Sequence, residues 1–309
     1  MPFHWQTLTQ RGVAWGAVFF LLLGAVGFPL DQDENTLGTS IQTEHVIALH
    51  RGVGFEEVRQ AISDLPPGSL LILDCTRTLM EPQDSLLRYG KWSDLTQAAL
   101  GRSLTVSEAR RLKLLCDWQS KKRLTHPDWP GILSQAAARG VRMMALTKHP
   151  VGYLDEESPS FEGIRVQQLR ELGIDLSVNS PKIDLNRVRA QLPGRELSYA
   201  GGILFAPDGM KGPILEALFT SSQTSFSKVL VIDDSATQCE SMALSLDKLK
   251  VPGEVLCFED ANKQRPVVDP LIAAIQLRTL FEQDLWLGDE AAGQILQQAH
   301  AAKAIRSDS

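Results

Sequence analysis

Three apolar runs in this chain each end in a residue able to do chemistry. SLLILD ends at Asp74, VRMMALT ends at Thr147, and KVLVID ends at Asp233, which Asp234 follows. An aspartate at the end of a buried strand can attack phosphorus and hold the phosphoryl group as an aspartyl-phosphate, dividing one difficult displacement into two easier ones. The obstacle is repulsion between carboxylate and phosphate. A divalent cation held by Asp74, by the Thr76 backbone carbonyl and by Asp233 or Asp234 removes it, and magnesium suits hard oxygen ligands and retained water. Each residue also has a plainer use, since aspartate caps helices that follow strands and threonine is favoured in strands.

The elements that must carry these residues are legible from pattern. The three runs are continuously apolar and bounded by breakers such as Pro66-Pro67-Gly68, as in strands of a parallel sheet covered on both faces. GGILFA at 201–206 and GEVLCFE at 253–259 add two more. Helical patterns lie between and before them: FEEVRQAISDL, with Phe55, Val58, Ile62 and Leu65 on one face, then GILSQAAARG, FEGIRVQQLRELG, PILEALF and SATQCESMALSLDKL. Strand alternating with helix predicts an α/β fold with a Rossmann-like, doubly wound, mainly parallel sheet. Such sheets bind ligands beyond the carboxyl ends of their strands, where Asp74, Thr147, Asp233 and Asp234 fall. Residues 80–128 are rich in helix formers and basic residues and contain no convincing strand, which predicts a helical cap inserted over that edge. The expected organisation is a polar linker and helix over 28–68, the main domain over 69–268, and a helical tail over 269–309 that frays.

Taken together these features resemble a known superfamily. A strand followed by D-x-x-x-T-L (Asp74, Cys75, Thr76, Arg77, Thr78, Leu79), a strand ending at Thr147, a lysine before a helix at Lys211, and a strand ending at Asp233-Asp234 are similar in order and spacing to the four motifs of haloacid-dehalogenase-like (HAD) proteins. The similarity covers roughly residues 69–260, and within it GGILFAPDGMKGPILEAL and KVLVIDDSATQCESM look most like a bacterial family of exported HAD proteins. The resemblance implies a magnesium-dependent phosphohydrolase or phosphotransferase acting on a small phosphomonoester, with Asp74 as nucleophile. Thr147 and Lys211 would hold the phosphoryl oxygens while charge shifts in the transition state. Lys211 precedes Gly212 and Pro213, and proline in a first helical turn places this lysine beside an N-terminus expected to offer free amide donors. Asp233 is the first choice for the metal and Asp234 the second, the latter also able to cap the next helix or bond Lys211.

One position departs from the pattern. HAD phosphatases carry a second aspartate two residues after the nucleophile, and this chain has Thr76 there. A hydroxyl that does not ionise near neutrality cannot serve as a matched general acid or base, and losing such a group costs about 10²–10⁴-fold in rate. The D-x-T arrangement is similar to that of P-type ion pumps, whose aspartyl-phosphate persists. Thr76 therefore weakens hydrolysis more than phosphoryl capture, and a catalytically weak or inactive binding protein is the competing reading. Cys75 is expected on the buried side of its strand rather than as a nucleophile. His149, followed by Pro150, reads as a turn residue, and His126 and Trp129 as hinge or packing residues.

Composition bounds the rest. The formal net charge is −6 with no long basic run, so nothing in the sequence marks a nucleic-acid partner. Cysteines at 75, 116, 239 and 257 form no CxxC pair, and no histidine stands at metal-site spacing, which argues against zinc. Near the N-terminus Arg11 precedes GVAWGAVFFLLLGAVGFPL, an uncharged run long enough to engage a membrane. Ala25 and Gly27 sit as the small residues before a signal-peptidase cut, so residues 1–27 are expected to be a signal peptide and the protein to be exported. Uncleaved, the segment 12–30 would instead anchor the chain in a membrane.

Overall fold

A computed structural model describes residues 47–89, 102–222, 225–259 and 266–307. Its centre is a seven-stranded sheet in the order β1-β9-β8-β2-β5-β7-β6. The strands are β1 (Ala48–Val53), β2 (Leu70–Leu73), β5 (Arg142–Thr147), β6 (Ser198–Ala200), β7 (Ile203–Phe205), β8 (Val229–Asp233) and β9 (Gly253–Phe258). All neighbouring strands run parallel except β6, which turns back antiparallel on β7. The chain winds outward from β2 in both directions, with β5 on one side and β8 on the other, so the topology is doubly wound and Rossmann-like.

The apolar runs become strands because both of their faces are covered. Every residue of β2 and of β8 is buried, and period-2 alternation sends neighbouring side chains into opposite layers. Leu71, Leu73, Leu230 and Ile232 pack on one side with Phe55, Val58 and Ile62 of α1 (Phe55–Ser63) and with Trp129 and Leu133 of α4 (Trp129–Ala138). Leu70, Ile72, Val229 and Val231 pack on the other against Ile214 and Leu215 of α7 (Lys211–Ser221) and Met242 and Leu246 of α8 (Ala236–Leu249). Helix α5 (Phe161–Glu171) completes the first layer and α6 (Leu185–Gln191) the second.

Two segments differ from the sequence expectation. The stretch over 80–128 contains strands after all: β3 (Met80–Pro82) pairs antiparallel with β4 (Lys122–Leu124), Met80 opposite Leu124 and Glu81 opposite Arg123. Three-residue strands held by a cross-strand ion pair, Arg123 Nε to Glu81 Oε1 at 2.8 Å, carry no apolar run to betray them. Helices α2 (Ser85–Tyr89) and α3 (Val106–Gln119) lie between those strands, and a Thr105–Glu108 capping box starts α3. At the other end, the helical residues after 269 pack against the insertion. Ala273, Leu277 and Leu280 of α9 (Pro270–Gln283) bury themselves with Leu112, Leu115 and Cys116 of α3 and with Trp286, whose indole donates to Asp84 Oδ2 at 2.8 Å. Helix α10 (Asp289–Ser307) follows. The segment read as a linker also contributes β1, which pairs with β9 at the sheet edge.

Among the described residues no helix is long and apolar enough to cross a membrane. The expected signal peptide or anchor over 1–27 and the segment 12–30 lie outside the described residues.

Candidate functional site

Strands β2 and β8 are adjacent, with Leu73 opposite Ile232, so the next residues, Asp74 and Asp233, leave the sheet side by side. By alternation they continue the rows Leu70–Ile72 and Val229–Val231, which face α7 and α8. Lys211, first residue of α7, meets them there. Its Nζ lies 2.5 Å from Asp74 Oδ1 and 2.6 Å from Asp233 Oδ2. The three residues are 2–8% exposed. One ammonium thus bridges two carboxylates out of contact with bulk water.

Close packing of α7 on α8 holds the lysine in place. A Cβ on Gly212 would fall inside van der Waals contact of the Ser241 carbonyl and of the Ser241 and Ser245 hydroxyls, so only glycine permits this approach. The amides at the start of α7 are already taken: Lys211 N donates to Gln238 Oε1 at 2.8 Å and Gly212 N to Ser241 Oγ at 3.1 Å. The sequence reading of free donors at this helix end is therefore corrected, because side chains of α8 cap them.

Asp233 also performs the turn role expected of Asp234. Its Oδ1 accepts from Ser235 N at 2.9 Å while Oδ2 binds Lys211. Asp234 is half-buried beside the pair. Its carboxyl is pushed up to about 7, first by burial and then by the like charges of Asp74 and Asp233, with the Arg77 guanidinium and Lys211 opposing. Burial pulls the Lys211 ammonium down, yet the two carboxylates outweigh it and hold it above the ordinary lysine range. Burial holds Asp74 above the ordinary carboxylate range, with Lys211 opposing it in part and the Asp233 charge adding to it. With an ammonium at 2.5 Å, we take the ionised pair as the native form.

Thr147 lies elsewhere. It continues the row Met143–Ala145 on the opposite face of the sheet and is buried with its hydroxyl beside the Cys75 thiol. That thiol is pushed up to about 12 by burial and by the Asp74 charge, which disfavours the thiolate that a nucleophile needs. Thr76 is exposed on the turn beyond Asp74. Of the residues singled out from sequence, Asp74, Lys211, Asp233 and Asp234 converge, while Thr147 belongs to the other layer. Among the described residues no three His, Cys, Asp or Glu side chains form a ready metal cage, since Lys211 stands between the two buried carboxylates.

A second polar cluster went unread. Asp117 of α3 receives Arg165 Nη2 at 3.2 and 3.0 Å and Lys122 Nζ at 3.0 Å, and His149 Nε2 lies against its Oδ2. His149, taken from sequence for a turn residue, is buried, and its Nδ1 lies 3.0 Å from the Pro150 carbonyl. A signal existed: Phe161, Ile164, Arg165, Gln168 and Leu169 form the buried stripe of α5, so two polar residues sat on an apolar face. Trp129 and His126 are packing residues, the indole donating to Thr125 Oγ1 at 2.9 Å and the imidazole stacking on Phe55. An open groove of about 470 Å³ along α5 and the end of β6 shares no lining residue with the carboxylate site.

A sequence model of a family described as a protein of unknown function (DUF2608) matches residues 53–293. No curated protein and no solved structure matches the chain. The resemblance to HAD proteins drawn from four short motifs is overturned by this match to a distinct family. Its motifs sit at strand ends and one helix start of a doubly wound sheet, where polar residues serve topology and capping and do not by themselves assign ancestry. With most of its length matched, the chain belongs to the DUF2608 family.

Proposed function

We propose that this protein transfers the phosphoryl group of a small phosphomonoester onto the Asp74 carboxylate, with magnesium, and then releases it to water or a second acceptor. The observation that carries the reading is the buried Lys211 ammonium bridging Asp74 and Asp233. Contact with the ammonium favours the ionised form of Asp74 and fixes the direction of its oxygens, both of which serve a carboxylate nucleophile. Attack by an Asp74 oxygen forms an O–P bond as the ester P–O bond breaks, and the departing alkoxide takes its proton from water. Lys211 remains beside the phosphoryl oxygens and offsets their charge.

Magnesium needs no closed cage of side chains, since it binds through one or two carboxylates and keeps several waters. Asp74 and Asp233 would hold it, with Asp234 and the Thr76 carbonyl as further oxygens. Two buried carboxylates share one ammonium, so a net negative charge remains for a cation to offset. Bound there, magnesium would screen the carboxylates from the incoming phosphate and polarise it.

Thr76 favours slow release. Its hydroxyl is exposed beside the nucleophile and cannot supply an acid or base of matched strength. A protein that captures phosphoryl groups and turns over weakly, or only binds them, is the second reading on that ground.

The test is hydrolysis of an aryl phosphate by the purified protein with and without magnesium, compared with Asp74→Asn. Expected is magnesium-dependent turnover that falls at least about 10³-fold in the variant, as for loss of a covalent nucleophile, and a hydroxylamine-labile phosphoryl adduct on the wild type alone. Turnover unchanged by Asp74→Asn sinks the reading.

A further inference from the structure

The turn between β2 and β3 carries a charged residue that the fold itself does not use. Arg77 lies three residues after Asp74 and is exposed, while Thr78, Leu79 and Met80 beyond it are buried. Among the described residues its guanidinium has no hydrogen-bond or ion-pair partner. The backbone beneath it is nevertheless fixed. Arg77 N donates to Met80 O at 2.7 Å, Leu79 N and Met80 N both donate to Cys75 O at 3.0 Å, and Thr125 N reaches Leu79 O at 3.1 Å.

This rigid turn places Arg77 at φ +66°. That left-handed conformation is natural for glycine and costly for a side chain with a Cβ. The hydrogen bonds of the turn hold that conformation, and backbone strain held in this way collects at functional positions. The electrostatics give the direction. Asp74 and Asp233 face a single buried ammonium, so the site's floor repels anions, and Arg77 is the exposed cation on the turn that leaves Asp74. A guanidinium presents paired donors that match two phosphoryl oxygens at once.

We propose that Arg77 is the specificity-determining residue of this site, gripping two oxygens of an incoming phosphomonoester dianion and so selecting monoesters over diesters. The inference rests on the phosphoryl-transfer reading of Asp74. A diester has one charge and two esterified oxygens, which leaves too few free oxygens for the guanidinium, Lys211 and the magnesium together.

The experiment compares the full chain with Arg77→Gly and Arg77→Lys, measuring aryl phosphate kinetics, equilibrium binding of inorganic phosphate with magnesium, and thermal midpoints. Arg77→Gly is expected to weaken phosphate binding and raise KM about 10- to 100-fold, the range for losing charge-assisted bonds. The effect should fall on KM more than on kcat. Because glycine accepts the left-handed backbone, its thermal midpoint should equal or exceed the wild type's, and Arg77→Lys should recover part of the binding. Arg77→Gly binding phosphate within about twofold of wild type overturns the proposal, as does a lowered midpoint with unchanged KM, which assigns a structural role. A wild type that neither binds phosphate nor turns over aryl phosphate refutes the phosphoryl-transfer reading itself and this inference with it, an outcome distinguishable from failure of Arg77 alone.

Discussion

Asp117 on the inserted helix α3 is gripped by Arg165 of α5 through both carboxylate oxygens, at 3.2 and 3.0 Å. Lys122 of β4 and His149, just after β5, close on the same carboxylate, and Gln168 Nε2 donates to the Asp117 carbonyl at 2.8 Å. The insertion is thereby tied to the sheet layer through one negative charge shared among three basic groups. Arg165 holds the Asp117 carboxyl well below the ordinary range in spite of its burial.

Asp117→Asn should therefore destabilise the fold by about 3 kcal/mol, since it leaves Arg165 and Lys122 buried without a counter-charge. Urea unfolding of the two proteins measures this. A loss under about 1 kcal/mol would mean that the cluster contributes no more than a surface pair does.

Acidification should loosen the same contact. Burial, and then the Arg165 charge, hold the His149 imidazole below its ordinary value of 6.5. The unfolded chain accepts a proton at that ordinary value while the folded chain resists it, so the unfolded form binds more protons in between. Stability from neutral His149 is present above about pH 6.5 and is lost as pH falls from there toward the lowered folded value. Unfolding free energies measured from about pH 7.5 to pH 5 should slope downward, and His149→Gln should flatten that slope. Parallel profiles for the two proteins would disprove it.

Lys211→Met should leave Asp74 and Asp233 facing each other without their shared cation, at a cost of about 3–5 kcal/mol. If the carboxylates hold magnesium, the added ion should restore part of this loss and stabilise the variant more than the wild type. Equal magnesium effects on the two proteins in thermal unfolding would remove the metal from the site.

Gly212→Ala tests the packing that aims Lys211. The added methyl group meets the Ser241 carbonyl, which belongs to the α8 backbone and cannot swing away. The expected cost is about 1–3 kcal/mol, as in overpacked cores, accompanied by reduced aryl phosphate turnover as the lysine moves off Asp74. Wild-type stability in this variant would show that α7 and α8 have slack.

Much of this architecture was determined by the sequence alone, because strands buried on both faces must be continuously apolar and are punctuated by Pro66-Pro67-Gly68 and similar breakers. Parallel strands all release their last residues at one edge, so Asp74 and Asp233 could be assigned to a common place before any contact was known. Other decisions needed the third dimension. Thr147 and Asp74 both end strands, but whether they share a face depends on register and phase against the neighbouring strand, and alternation sends Thr147 to the Cys75 side. The β3–β4 pair and the docking of α9 on α3 are made by residues far apart in the chain with weak local patterns. Arg165 on an apolar stripe announced a buried partner, yet nothing local could name Asp117, because partner choice is fixed by how distant elements pack rather than by the propensities of either one.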